Sequence, residues 1–313
     1  MGKIAFLFPG QGCQYVGMGK DLFTNSPEAR QVFELADREL GYGLSALCFD
    51  GSEQELTKTE NTQPAILTVS VAAYRALAAY GIRAELMAGL SLGEYSALVC
   101  SGMLDFAEAV TLVRKRGLYM QQAVPEGVGG MVAVLGLETA KVEQACAQAR
   151  TLGLVQIANY NCPGQIVISG EKKALEAAAA NAADLGARRV IPLQVSGPFH
   201  TDLLQPAAEK LAQELRTVSL KEAEIPVISN VTADIIPNPA TALQLLPQQV
   251  KNPVLWEMTI RKMLAAGVDT FVEIGPGSTL RGFVKKIDRK ANLLNVEDMA
   301  SLAKTVEFFR IHN

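Results

Sequence analysis

Histidine is almost missing from this chain, with two among 313 residues, and no acidic cluster has metal-ligand spacing. That shortage argues against a zinc or iron centre built on imidazoles, and no cofactor is expected. The five cysteines, Cys13, Cys48, Cys100, Cys146 and Cys162, are odd in number, far apart and form no C-x-x-C pair. They read as free, buried thiols rather than as a disulfide framework or a redox motif. Charge of one sign is also lacking: 29 Lys and Arg stand against 32 Asp and Glu, for a net charge of −3. Neither nucleic acid nor an anionic membrane is an expected partner. No apolar run is long enough to span a bilayer, and MGKIAFLFPG enters a strand-like segment without the pattern of a cleavable signal, so a cytoplasmic protein is expected. There is no repeat of fixed period and no low-complexity linker.

What remains is 49% hydrophobic and 19% charged, with glycine spread along the length. This composition belongs to globular α/β proteins, and the length suffices for a large core plus a smaller satellite. Lys3 to Phe8 is an apolar run stopped by Pro9-Gly10, which reads as a buried strand. Helices are expected over Pro27–Leu40, Gln63–Tyr80, Leu92–Cys100 and Phe106–Ala123, with a short strand at Glu85–Ala88. Near Pro125-Glu126-Gly127 the texture changes. Strand Met131–Leu135, helix Glu138–Arg150, strands Leu154–Asn159 and Gln165–Ser169, helix Ala174–Leu185 and strand Arg189–Val195 follow in the order βαββαβ. That order predicts a ferredoxin-like subdomain over 125–197, inserted into a main domain formed by 1–124 and 198–313. The main domain resumes with helix Leu204–Val218, strand Pro226–Ser229, helix Trp256–Ala266 and strand Thr270–Ile274.

Gly89-Leu90-Ser91-Leu92-Gly93 sets a serine between a strand and a helix. A sharp strand-to-helix turn strains the serine backbone and exposes its hydroxyl, and the helix N-terminus favours negative charge nearby. The alternative is that Ser91 merely caps the helix. A hydroxyl needs a base, and with His312 next to the chain end, His200 in Gly197-Pro198-Phe199-His200 is the candidate. A structural histidine satisfied by backbone groups is the competing reading. In Phe8-Pro9-Gly10-Gln11-Gly12 a third glycine would have to fall at Tyr15, so the dinucleotide fingerprint fails. The loop can instead offer the Gln11 amide, with that of Leu92, to an oxyanion. On the Phe106–Ala123 helix, Arg116 falls in line with Val113 and Met120 while Lys115 faces away; geometry alone leaves Arg114 open.

Together with Ile157-Ala158-Asn159-Tyr160-Asn161 and Glu273-Ile274-Gly275-Pro276-Gly277, these motifs resemble the malonyl-CoA:acyl carrier protein transacylases end to end. The resemblance implies an α/β-hydrolase-like, parallel-sheet main domain with a ferredoxin-like insertion. It implies that Ser91 is the acylated nucleophile, His200 its base, and Gln11 and Leu92 the oxyanion donors. Arg116 would hold the malonyl carboxylate, the Gln249 carbonyl would orient the histidine, Phe199 would go with malonyl rather than methylmalonyl units, and Asn161 would line the substrate site. Malonyl-CoA and acyl carrier protein would be the partners, the latter met transiently by a basic surface that includes Lys285 and Lys286, and the chain would act as a monomer. Three positions depart from the pattern: Leu90 replaces a usual histidine, Cys13 a serine and Ser278 a lysine. Two other classes compete. A serine esterase or thioesterase would draw a triad acid from Asp105 or Asp184, and a non-enzymatic acyl-binding subunit would need only the fold.

Overall fold

Burial alternates to both sides along the first strand, and this sets the architecture. In the computed structural model, which describes residues 2–125, 127–195 and 197–312, Phe6 and Phe8 join one apolar cluster while Ala5 and Leu7 join another on the opposite face. A strand buried on both faces belongs inside a parallel sheet covered by helices. The strands described are β1 (Lys3–Phe8), β2 (Leu86–Gly89), β3 (Gly129–Leu135), β4 (Val155–Cys162), β5 (Gln165–Glu171), β6 (Arg189–Pro192), β7 (Val227–Ile228), β8 (Val268–Ile274) and β9 (Asn292–Val296). Five form a sheet in the order β7-β2-β1-β8-β9, and every pairing in it is parallel. Phe8 pairs with Gly89 and Leu7 with Glu273, so the carboxyl ends of β1, β2 and β8 reach the same edge. The loops beginning at Pro9, Leu90 and Gly275 gather there, where ligands of open parallel sheets are bound.

The helix Thr59–Ala78 is buried nearly all round from Thr62 to Ala73 and runs through the main core. It begins before the expected Gln63 because its first turn, Thr59-Glu60-Asn61-Thr62, carries no apolar period. Leu92–Cys100 and Phe106–Ala123 are helices with the bounds expected. Helices Pro239–Lys251, Thr279–Ile287 and Met299–His312, and strand β9, lay outside the sequence reading. The first holds Pro247 in its interior, which reads as a breaker, yet it starts well: Pro239 opens it and the Asn238 side chain accepts from Thr241 N–H. The last carries His312 within its final turn, exposed and stacked on Phe308.

The other four strands form an antiparallel sheet in the order β4-β5-β3-β6, with helices Thr139–Ala149 and Lys172–Asp184 packed on one face. Val132 and Val134 meet those helices, while Met131 and Ala133 turn the other way and join the main core. This second face roofs a cleft over the carboxyl edge of the parallel sheet. The roof is fastened to the main body where Tyr160 N–H donates to Val254 O at 3.0 Å and Val254 N–H to Ala158 O at 2.8 Å. The expected strand Arg189–Val195 ends at Pro192, and Glu126, in the expected boundary turn, lies outside the described residues. Among the described residues, no helix is long and apolar enough to cross a membrane.

Candidate active site

Strand β2 ends in Gly89, and two residues later Ser91 takes φ 52° and ψ −107° before the helix Leu92–Cys100 begins. A left-handed non-glycine residue costs about 1–3 kcal/mol and persists only where its surroundings hold it. Here they do. A β-carbon on Gly89 would lie 1.9 Å from Gly93 O, and one on Gly93 would lie 2.1 Å from Phe8 O, so three main chains touch. Asn230 Oδ1 accepts from Ser91 N–H at 2.6 Å, Asn230 Nδ2 donates to Gly89 O at 2.7 Å, and Gln249 Nε2 donates to Ser91 O at 3.0 Å.

The Ser91 hydroxyl makes no capping bond to its helix; Oγ lies 2.8 Å from His200 Nε2. The reading of Ser91 as a side-chain cap therefore fails. His200 is buried and itself left-handed, with φ 59°. Its Nδ1 faces two carbonyls, Gln249 O at 2.9 Å and Asn252 O at 3.2 Å. Carbonyls only accept, so Nδ1 carries the hydrogen and Nε2 presents its lone pair to the hydroxyl. Burial, reinforced by the Arg116 charge, pushes the imidazole down from 6.5 to about 4, which keeps it neutral at ordinary pH.

Arg116 is 1% exposed. Its Nη1 donates to Gln63 Oε1 at 2.8 Å, and its Nη2 to Gln249 Oε1 at 3.1 Å and Ser91 Oγ at 3.3 Å, while the guanidinium lies 5.3 Å from the Tyr95 ring centroid. The other basic residues of that helix point elsewhere: Arg114 lies over Tyr42, and Lys115 pairs with Glu214. Beneath them Glu94 is fully buried, with Oε2 accepting from Gln249 Nε2 at 2.7 Å and Asn230 N–H at 2.9 Å. Burial pushes its carboxyl up to about 7 in spite of those two donors.

These groups open into a cleft of ≈ 450 Å³ lined by Gln11, Ser91, Leu92, Arg116, Asn161, Phe199 and His200 among others, with Met131, Ala133 and Val167 from the roof. Among the described residues, no acceptor meets the N–H groups of Gln11 or Leu92, both at the cleft wall. Asn161 is buried, and its Oδ1 has no partner among the described residues. Lys286 Nζ donates to Gln165 Oε1 at 2.8 Å on the rim, and Lys285 is exposed beside it. The candidate triad acids are both elsewhere. Asp105 caps the Phe106–Ala123 helix by accepting from Ala107 N–H, and Asp184 ends an exposed helix turn of the antiparallel unit.

The departures leave the serine–histidine pair intact. Leu90 lines the cleft, and Cys13 faces Thr279, its thiol pushed up to about 11 by burial. Sequence reasoning did not single out Gln63, Glu94, Asn230 or Asn252. Gln63 left one signal, an amide next to the apolar run Pro64 to Leu67; the others are polar residues in ordinary contexts.

Residues 5–306 match the family described as acyl transferase domain. A malonyl CoA-acyl carrier protein transacylase of Bacillus subtilis (strain 168) is 48% identical over 100% of this chain and 99% of its own. The crystal structure of a malonyl CoA-acyl carrier protein transacylase from Clostridium perfringens superposes with a TM-score of 0.95 at 49% identity, covering 99% of this chain and 98% of that one. A malonyl-transacylase solved in complex with its type II PKS acyl-carrier protein does so with 0.96 at 43%, covering 98% and 99%. With an elbow serine, a buried histidine and likeness over its whole length, this chain belongs to the acyl transferase family, among the malonyl CoA-acyl carrier protein transacylases.

Proposed function

We propose that the chain moves a malonyl group from malonyl-CoA to the phosphopantetheine thiol of acyl carrier protein through a malonyl-serine intermediate. The observation that carries this reading is the 2.8 Å approach of Ser91 Oγ to His200 Nε2, with Arg116 in the same cleft. His200 takes the hydroxyl proton as Oγ attacks the thioester carbonyl, and the tetrahedral oxyanion is met by the N–H groups of Gln11 and Leu92. The carbon–sulfur bond then breaks, His200 returns the proton to the CoA thiolate, and CoA leaves. The carrier thiol repeats the steps in reverse order on the acyl-serine. The leaving group in each half-reaction is a thiolate, which departs more readily than the amine of an amide, and this suits a histidine oriented by neutral carbonyls in place of a carboxylate.

Arg116 offers a planar fork that matches a carboxylate, which favours a dicarboxylic acyl group over acetate. Phe199 and Asn161 bound the acyl end, and Lys285 and Lys286 give the rim a basic face for an acidic carrier protein. The same reading takes 125–197 as a ferredoxin-like insertion in an α/β-hydrolase-like domain, and the enzyme as a cytoplasmic monomer. The sheet order β4-β5-β3-β6 supports the first of these.

Incubation with labelled malonyl-CoA, followed by acid quench and peptide mapping, should give one malonyl group on Ser91. Acyl carrier protein should then discharge it much faster than water. Rapid discharge by water alone would make the chain a thioesterase, and no labelling would leave an acyl-binding protein.

A further inference from the structure

Arg116 is buried, yet it makes no ion pair among the described residues. An uncompensated guanidinium in a protein interior is costly, so its counter-charge must lie a little further off. The buried carboxyl whose charge acts on it is Glu94. One amide joins the two: Arg116 Nη2 donates to Gln249 Oε1 at 3.1 Å, and Gln249 Nε2 donates to Glu94 Oε2 at 2.7 Å. The amide can sit only this way round, since the reverse would set donor against donor and acceptor against acceptor. The cation end of this relay opens on the cleft, 3.3 Å from Ser91 Oγ.

The transfer reading, on which this inference rests, brings a second carboxylate to Arg116. Two carboxylates serving one cation away from water cannot both stay ionised without a large penalty. We infer that Glu94 is the resident counter-charge of Arg116, coupled to it through the Gln249 amide, and that a carboxylate-bearing acyl group takes over that role while Glu94 takes up a proton from solvent. The groups facing Glu94 leave it free to act so. Arg116 approaches from the Phe106–Ala123 helix, Tyr95 shares its own helix, and His200 is held neutral beyond Ser91. Strands β2 and β7 carry no titratable side chain, and Lys3 is at the far end of β1. On the helix Thr59–Ala78, Tyr74 and Arg75 flank Cys100 at the far end of the Glu94 helix, and Glu60 lies against Gly117. Burial, which pushes Glu94 up to about 7, leaves the empty site poised near neutrality. Glu94 thereby makes acyl choice depend on pH, because its ionised form opposes a malonyl carboxylate and leaves an acetyl group unaffected, so the preference for malonyl should weaken as the pH rises through neutrality.

The test uses Ser91→Ala protein, which binds without reacting. Calorimetric titration with malonyl-CoA and acetyl-CoA at pH 8, in buffers of different ionisation heat, counts the protons taken up; both ligands carry the same phosphates, so their difference isolates the acyl carboxylate. Malonyl-CoA is expected to take up most of one proton more than acetyl-CoA, and a further Glu94→Gln change should abolish the difference. In turnover, the wild-type KM for malonyl-CoA should rise with pH through neutrality, by up to about tenfold per unit, and be flat in Glu94→Gln. Equal proton counts for the two ligands would overturn the inference, and that comparison does not require the Glu94→Gln chain to fold. Normal labelling of Ser91 with equal counts sinks this inference alone, whereas absent labelling sinks the transfer reading.

Discussion

Ser91 and His200 meet across the cleft with left-handed backbones that neither residue type favours, whereas between β3 and β6 every left-handed residue described is a glycine. Buried charge divides the same way. Glu94, Arg116 and His200 lie under the edge of the parallel sheet, while between β3 and β6 no charged side chain is buried among the described residues. The reacting edge thus concentrates strain and desolvated charge, and the roof supplies relaxed packing that holds one wall of the cleft still. Replacements of the reacting side chains at the edge should change chemistry more than stability, and replacements in the roof should do the reverse.

The sharpest break of that contrast is Ser91→Gly. Acyl labelling should fall by at least about 10³-fold, yet thermal scans should show a higher Tm, because glycine adopts this φ without the side-chain penalty. In the roof, Ile168→Ala empties a fully buried position beside both helices. Denaturant titration should register a loss of about 2–5 kcal/mol, while the turnover of each folded molecule stays unchanged. A large fall in kcat there would mean the roof does more than hold still. Arg116→Lys keeps the charge but loses the fork, so kcat/KM for malonyl-CoA should drop by about 10²-fold, and acetyl transfer should drop far less.

Acid should act more gently. Because Nε2 works unprotonated, kcat/KM should hold as the pH is lowered from below neutrality until it falls with an apparent pKa of about 4. The stability slopes follow from the same groups. Between 6.5 and about 4 the unfolded chain binds more protons at His200, so that group's contribution is lost as the pH falls through this range. Glu94 runs the other way, since its folded carboxyl keeps a proton up to about 7 against 4.5 unfolded, and its contribution is lost as the pH rises. Urea titrations of wild type and Glu94→Gln across pH 4 to 8 separate the two slopes.

Much of the site was legible because so few residues could fill its roles. With two histidines in the chain, a glycine-flanked serine left His200 as the one candidate base away from the terminus. The helices on either side of Ser101 to Asp105 were legible from their apolar period and from the turn residues that bound them. The scaffold of the elbow was not. Asn230 and Glu94 act through hydrogen bonds to residues 139 and 136 positions away, and no local pattern marks a side chain whose partner is that distant. Gln249 emerged only through family resemblance, since Pro247 disguises the helix that carries it. Asp105 looked like a triad acid because chain order alone cannot tell a free carboxylate from one spent on a helix cap.

The crossing of main chains at Gly89 and Gly93 also governs how this enzyme can vary. A single methyl group at either position would overlap a main-chain carbonyl oxygen, that of Gly93 in the helix at 1.9 Å or that of Phe8 at the end of β1 at 2.1 Å, and main chain held in a helix or strand cannot step aside. In a saturation library both codons should collapse to glycine, while Leu90 between them, whose side chain lines the cleft, should accept many exchanges. Innovation in acyl choice and collapse of the whole scaffold are therefore separated at this bend by one step along the chain.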